Sequence, residues 1–189
     1  MSQFANSWTG HLARFHEFIL DDFPNDYCVV HDLKMPLGNL DHVVVGPTGV
    51  FVIDTKNWKG IVSADGNGEL LLNGKPTEKT AVNALVGRTM AIREKVLSLC
   101  ATDQAPQSAA PFFHAVLVFP AAKVEARWGS TGAADCVSDE KLWDYIGENP
   151  RGAALTKQQI ESYARAFRAL AQMDSDFEVQ PSDSPPPDS

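Results

Sequence analysis

The stretch Leu40–Gly60, LDHVVVGPTGVFVIDTKNWKG, constrains this chain more than any other part of it. Two apolar, β-prone runs, Leu40–Val45 and Val50–Lys56, stand on either side of Gly46, Pro47, Thr48 and Gly49, residues suited to a tight hairpin turn. If that turn closes with Val45 paired to Val50, Asp41 falls directly across from Asp54, with Cβ atoms roughly 4.5 to 5.5 Å apart on one face. Lys56 shares that face, because side chains along a strand alternate with a period of two. Like charges set opposite each other destabilise a sheet unless positive charge lies between them. A cation is therefore expected at this point.

The flanking patterns give an α/β fold. Trp8, Leu12, Phe15, Ile19 and Phe23 recur at helical spacing, with Ser7 as N-cap and Pro24 as stop, which predicts a first helix. Tyr27–Val30 reads as a strand, and Ile61–Ser63 with Glu69–Leu72 as a smaller hairpin around Asp65-Gly-Asn-Gly. A long helix is predicted from about Thr80 to Leu99 through Leu85, Ile92, Val96 and Leu99. Phe112–Phe119, FFHAVLVF, is apolar on both faces, as expected of a strand inside a covered sheet. Asp139–Ile146 predicts a short helix. Thr156–Gln159 opens a last one as a capping box, with Ile160, Tyr163, Ala164, Phe167 and Leu170 facing inward. The order is α-β-β-β-α-β followed by two helices.

Length and charge set limits on function. A chain of 189 residues suits one domain, expected over residues 1–173, followed by a disordered acidic tail rich in Pro and Ser at 174–189. The five acids from Asp174 onward account for five of the eight net negative charges, which leaves −3 on residues 1–173. No apolar run reaches the roughly 18 to 20 residues that span a bilayer. The opening MSQFANSWTG lacks a signal-peptide layout, so a cytoplasmic protein without a membrane partner is expected. Cys28, Cys100 and Cys136 are too far apart for a C-x-x-C, and the five histidines show no metal-binding spacing. Absence of a G-x-x-x-x-G-K-[ST] motif leaves the chain without a recognisable ATPase.

Carboxylate oxygens are hard ligands suited to Mg²⁺, which needs one or two of them and fills its other positions with water and phosphate. A lysine beside such a site orients an attacking water or neutralises charge growing on the phosphate. Asp41, Asp54 and Lys56 thus suit phosphodiester hydrolysis; the bland alternative is a solvated strand end with an ion pair worth under about 1 kcal/mol. Lys59, Lys79, Arg88, Arg93 and Lys95 are expected on a solvated face, Trp58 in packing rather than on a base, and His42 on the side of the sheet away from Asp41.

Leu40-Asp41-His42, Gly46-Pro47-Thr48-Gly49 and Asp54-Thr55-Lys56-Asn57-Trp58-Lys59-Gly60 follow in order the signature of the nuclease-related (NERD) domain, which this segment closely resembles. That family belongs to the PD-(D/E)XK superfamily. The resemblance implies a restriction-endonuclease-like αβββαβ core with a mixed central sheet flanked by helices. It also implies a nuclease site with Asp41 and Asp54 as Mg²⁺ (or Mn²⁺) ligands and Lys56 as the catalytic lysine. The implied partner is nucleic acid, DNA before RNA, with a helicase or phage-defence component as a possible protein partner. The family's helix-one glutamate has no counterpart near Gly10-His11, and Glu17, two turns on, is the candidate substitute. A glutamine common on the helix after the signature falls near Gly87. Two expectations stay open: an active metal-dependent nuclease, or a silent nuclease-fold module that binds nucleic acid or a protein.

Overall fold

The computed structural model describes residues 26–34, 38–77, 80–100, 111–126, 133–148 and 153–177. The expected first helix, with Gly10, His11 and Glu17, lies outside the described residues, as does 178–189.

Nine strands are described: β1 Cys28–Leu33, β2 Leu40–Gly46, β3 Gly49–Thr55, β4 Gly60–Ala64, β5 Leu70–Leu72, β6 Lys75–Pro76, β7 Phe113–Phe119, β8 Ala122–Val124 and β9 Asp135–Ser138. The signature hairpin forms in the register its turn dictates: Val45 pairs with Val50, Val43 with Val52 and His42 with Ile53. Only Pro47 and Thr48 lie between the paired glycines. A Cβ on Gly46 would fall 2.0 Å from the Tyr27 ring, so a bare backbone is what lets that ring close over the turn.

β1 joins β2 antiparallel, while β7 runs parallel to β3 and β9 parallel to β7, giving a mixed five-stranded sheet in the order β1-β2-β3-β7-β9. All seven residues of β7 are buried, as its unbroken apolar run requires of an interior parallel strand. Three helices are described: α1 Ala81–Cys100, α2 Leu142–Gly147 and α3 Lys157–Phe177. Val43, Val45, Val50 and Val52 share one core with Leu85 and Ile92 of α1 and Ile160 and Phe167 of α3. On the other face Val44, Phe51, Ile53, Val116 and Val118 pack with Leu142, Tyr145 and Ile146. This mixed sheet with helices on both faces is consistent with the restriction-endonuclease-like fold.

Fully burying one Val, Leu, Ile or Phe side chain contributes about 1.5 to 3 kcal/mol, and a like-charged cross-strand pair costs roughly 0.2 to 1 kcal/mol. The valines of β2 and β3, fully buried, therefore hold this register against any repulsion between Asp41 and Asp54. The core fixes the acids.

A second sheet, in the order β6-β5-β4-β8, holds the expected smaller hairpin as β4 and β5. The Glu69 carboxylate, just before β5, accepts the backbone N–H groups of Val82 and Asn83 at 3.2 and 2.9 Å. An anion there caps the positive end of α1 and ties that helix to the small sheet. The strands β6, β8 and β9 were not predicted from the sequence. They are two to four residues long; β6 pairs with its neighbour β5, whereas partners distant in sequence, Val62 for Val124 and Val116 for Asp135, create β8 and β9. The capping box at α3 forms as expected: Gln159 Oε1 accepts the Thr156 N–H at 2.9 Å and Thr156 Oγ1 accepts the Gln159 N–H at 3.3 Å. Helix α3 runs to Phe177, so its last four residues come from the stretch whose composition reads as a tail. Asp139–Lys141 is a 3₁₀ turn and only Leu142–Gly147 is α-helical.

Cys136 on β9 is buried, and burial, with the charges of Asp135 and Glu69, pushes its thiol up to about 12. At neutral pH it stays protonated and inert. Alkylation of the native chain followed by mass mapping should leave Cys136 unmodified while Cys28, partly exposed, reacts; equal labelling of the two would contradict this packing. No described helix is long and apolar enough to cross a membrane.

Candidate functional site

Strand β3 runs out of the core at Asp54, beside Leu117 of the parallel strand β7. In α/β sheets ligands gather outside the carboxyl ends of parallel strands, and Asp54 stands at such an end. The β2–β3 pairing stops at His42 and Ile53, and one further step in that register sets Asp41 across from Asp54. There the backbone ladder gives way to side chains. Asp41 Oδ2 accepts the Thr55 N–H at 2.7 Å, and the next N–H, of Lys56, donates across to Val118 O at 2.8 Å. One oxygen of Asp41 is thereby fixed to β3, and Oδ1 is left to reach anything bound between the two acids.

Asp54 is 4% exposed, and its charge draws in two cations. Lys56 Nζ donates to both carboxylate oxygens at 2.9 Å. The Arg88 guanidinium on α1 donates through Nη2 to Asp54 Oδ2 and through Nη1 to Asn39 O. Burial raises the Asp41 carboxyl above its ordinary range, opposed by the Thr55 N–H, raised again by the Asp54 charge and lowered by Lys56 and Arg88. The four charges therefore act on one another, and the cation expected from the facing acids is supplied within the chain by Lys56 and Arg88.

Arg88 corrects the expectation of a solvated face. Ala81, Leu85, Arg88 and Ile92 recur at spacings of four, three and four residues, which places the guanidinium on the inner stripe of α1. Its side chain is 14% exposed. That spacing was present in the sequence, where a charge among apolar inner positions is itself a signal. Gly87, where the family's glutamine was counted to fall, faces open space, and the polar group that this turn of the helix sends to Asp54 comes from Arg88.

A cavity of about 710 Å³ opens beside Asp54, lined by Lys56, Trp58, Leu72, Ala84 and Arg88 among others. Trp58 packs against Phe119 with ring centroids 5.4 Å apart, as expected, and also lines the cavity. The backbone beyond it turns at Gly60, whose φ is +121° and where a Cβ would lie 2.2 Å from Asn73 Oδ1. Only glycine meets both demands. Asn73 Oδ1 in turn accepts the Ile61 N–H at 2.9 Å, fixing the small sheet as the cavity's far wall. His42 is buried, with its Nδ1 3.0 Å from His31 Nδ1. Among the described residues no group of three or more His, Cys, Asp or Glu converges as a metal cluster.

The nuclease-related domain family matches residues 10–120, more than half of the chain and including the hairpin, Arg88 and β7. No curated protein and no solved structure matches the chain. With this match spanning the segment that builds the acid pair and the cavity, the chain belongs to the nuclease-related domain (NERD) family.

Proposed function

We propose that this chain is a metal-dependent nuclease that hydrolyses phosphodiester bonds, in DNA before RNA, with Asp41 and Asp54 as ligands of Mg²⁺ or Mn²⁺ and Lys56 as the catalytic lysine. The observation that carries the reading is Asp54 at the carboxyl end of β3, beside Asp41 and Lys56 and opening onto a cavity. Two carboxylates meet what Mg²⁺ asks of a protein, the remaining positions going to water and substrate phosphate. The fit requires Arg88 and Lys56 to release oxygens of Asp54. Both side chains are partly exposed, at 14% and 27%, and line the cavity.

A bound Mg²⁺ supplies Lewis acidity toward a phosphoryl oxygen and lowers the pKa of its water. Asp41 holds one oxygen on Thr55 and presents the other. Lys56, once released from Asp54, donates to a phosphate oxygen or to the attacking water. Arg88 offers a planar guanidinium that suits a phosphate in bidentate fashion. Glu17 is assigned the auxiliary ligand position. With no ATP-binding motif in the chain, unwinding and target choice fall to a partner, such as a helicase or a defence-system component.

The rival reading, a silent module that binds without cutting, draws on the double neutralisation of Asp54 by Lys56 and Arg88, which a site without a metal also displays. Incubating the purified chain with linear, circular and single-stranded DNA and with RNA, in Mg²⁺ or Mn²⁺ and in EDTA, separates the two. Cleavage that EDTA stops is the expected result. Salt-sensitive binding with no product in any metal would favour the silent module.

A further inference from the structure

The lining of the cavity beside Asp54 combines apolar and cationic side chains. Trp58, Leu72, Pro76, Ala81 and Ala84 give it apolar wall, while Lys56, Lys75 and Arg88 set three cations against the carboxylate of Asp54. An aromatic ring among apolar side chains, with cations in the same lining, is the complement of a nucleotide, whose base offers a π-face and whose phosphate carries the charge. At about 710 Å³ the cavity also falls within the roughly 300 to 1,000 Å³ of pockets that enclose one small molecule.

A base inside a duplex cannot fill such a space. It is stacked above and below, and reaching a cavity requires it to leave the stack at a cost of a few kcal/mol. A strand that is already unpaired avoids that cost. Aromatic stacking then contributes about 1 to 3 kcal/mol per base, without preference for sequence. Trp58 is held for this role: its ring rests against Phe119, and the Gly60 turn locks the chain that follows it.

We propose that this cavity takes one unpaired nucleotide, its base against Trp58 and its phosphate toward Lys56 and Arg88, so that the substrate is single-stranded nucleic acid rather than intact duplex. This rests on the nuclease reading and adds the class of substrate to it.

The test measures binding in EDTA, where no metal and no cleavage enter. A short fluorescent thymidine oligonucleotide is titrated beside a GC-rich blunt duplex of equal length. The wild-type chain should bind the oligonucleotide at least about tenfold more tightly than the duplex, the equivalent of about 1.4 kcal/mol. Trp58→Leu should lose roughly 5- to 100-fold in affinity for the oligonucleotide and leave the duplex unchanged, as stacking of this strength implies. Trp58→Phe, which keeps a ring, should lose less. Ala84→Phe, at an exposed cavity-lining position of α1, fills the space without touching the core and should weaken single-strand binding as well. With the unmodified chain, photocrosslinking of an oligonucleotide carrying 5-iodouracil should map to Trp58. Equal affinity for both probes, single-strand binding that ignores Trp58 and Ala84, or crosslinks confined to other segments would each overturn the inference. If EDTA-sensitive cleavage is seen while these fail, the nuclease reading stands and the unpaired-nucleotide inference alone is lost.

Discussion

If Asp54 ligates the metal as proposed, Asp54→Asn should abolish cleavage, with a loss of about 10³-fold or more, because the amide would remove a ligating charge worth several kcal/mol to the transition state. Asparagine keeps the shape of the side chain at a position that is 4% exposed, so the sheet should survive. Some stability goes with the charge, since Lys56 and Arg88 would then face each other without the carboxylate between them. Removing one partner of a fully buried pair costs about 3 to 5 kcal/mol; the partial exposure of both cations reduces this to roughly 1 to 3 kcal/mol. Urea unfolding beside a cleavage assay separates the two effects. A folded Asp54→Asn variant that still cuts at the wild-type rate would remove Asp54 from the chemistry.

Arg88→Met should move two properties in opposite directions. The guanidinium occupies Asp54 Oδ2, the oxygen that the proposed divalent cation would take, so on that proposal it competes with metal. Its removal should tighten Mn²⁺ binding several-fold to tenfold, which corresponds to an ion pair of about 1 kcal/mol given up by the metal-free state. The same removal takes away a donor suited to phosphate. Affinity for uncut DNA should fall, the salt dependence of binding should drop by about one phosphate contact, and cleavage should slow. Methionine keeps the apolar stem that runs between Leu85 and Ile92 on the inner stripe of α1, so the helix should stay in place. Calorimetry with Mn²⁺ and a salt titration with DNA read the two properties apart. Weaker metal binding in the variant would mean that Arg88 supports the carboxylates instead of competing with a cation.

The elements legible in the sequence were those carried by local chemistry. The hairpin register followed from Gly46, Pro47, Thr48 and Gly49, because a two-residue loop leaves one way to pair Val45 with Val50, and Asp41 and Asp54 were placed with it. The capping box at Thr156 and Gln159 and the covered strand Phe113–Phe119 were likewise visible in residue types alone. The parts that escaped depend on partners far along the chain. Strands β8 and β9 exist only because β4 and β7 pair with them. Arg88 meets Asp54 across 34 positions, and the cavity needs Trp58, Leu72 and Ala84 from three separate segments. Arg88 was expected on a solvated face, although its spacing from Leu85 and Ile92 sets it on the apolar stripe; only the packing of α1 over the sheet shows what it meets there.

Titration of the metal-free chain with Mn²⁺ by calorimetry, repeated on Asp41→Asn and Asp54→Asn, tests the shared carboxylate site most directly. Saturable uptake of about one ion per chain, lost or greatly weakened in either variant, is the expected result. Absence of uptake in the wild type, or uptake that neither substitution changes, would contradict it.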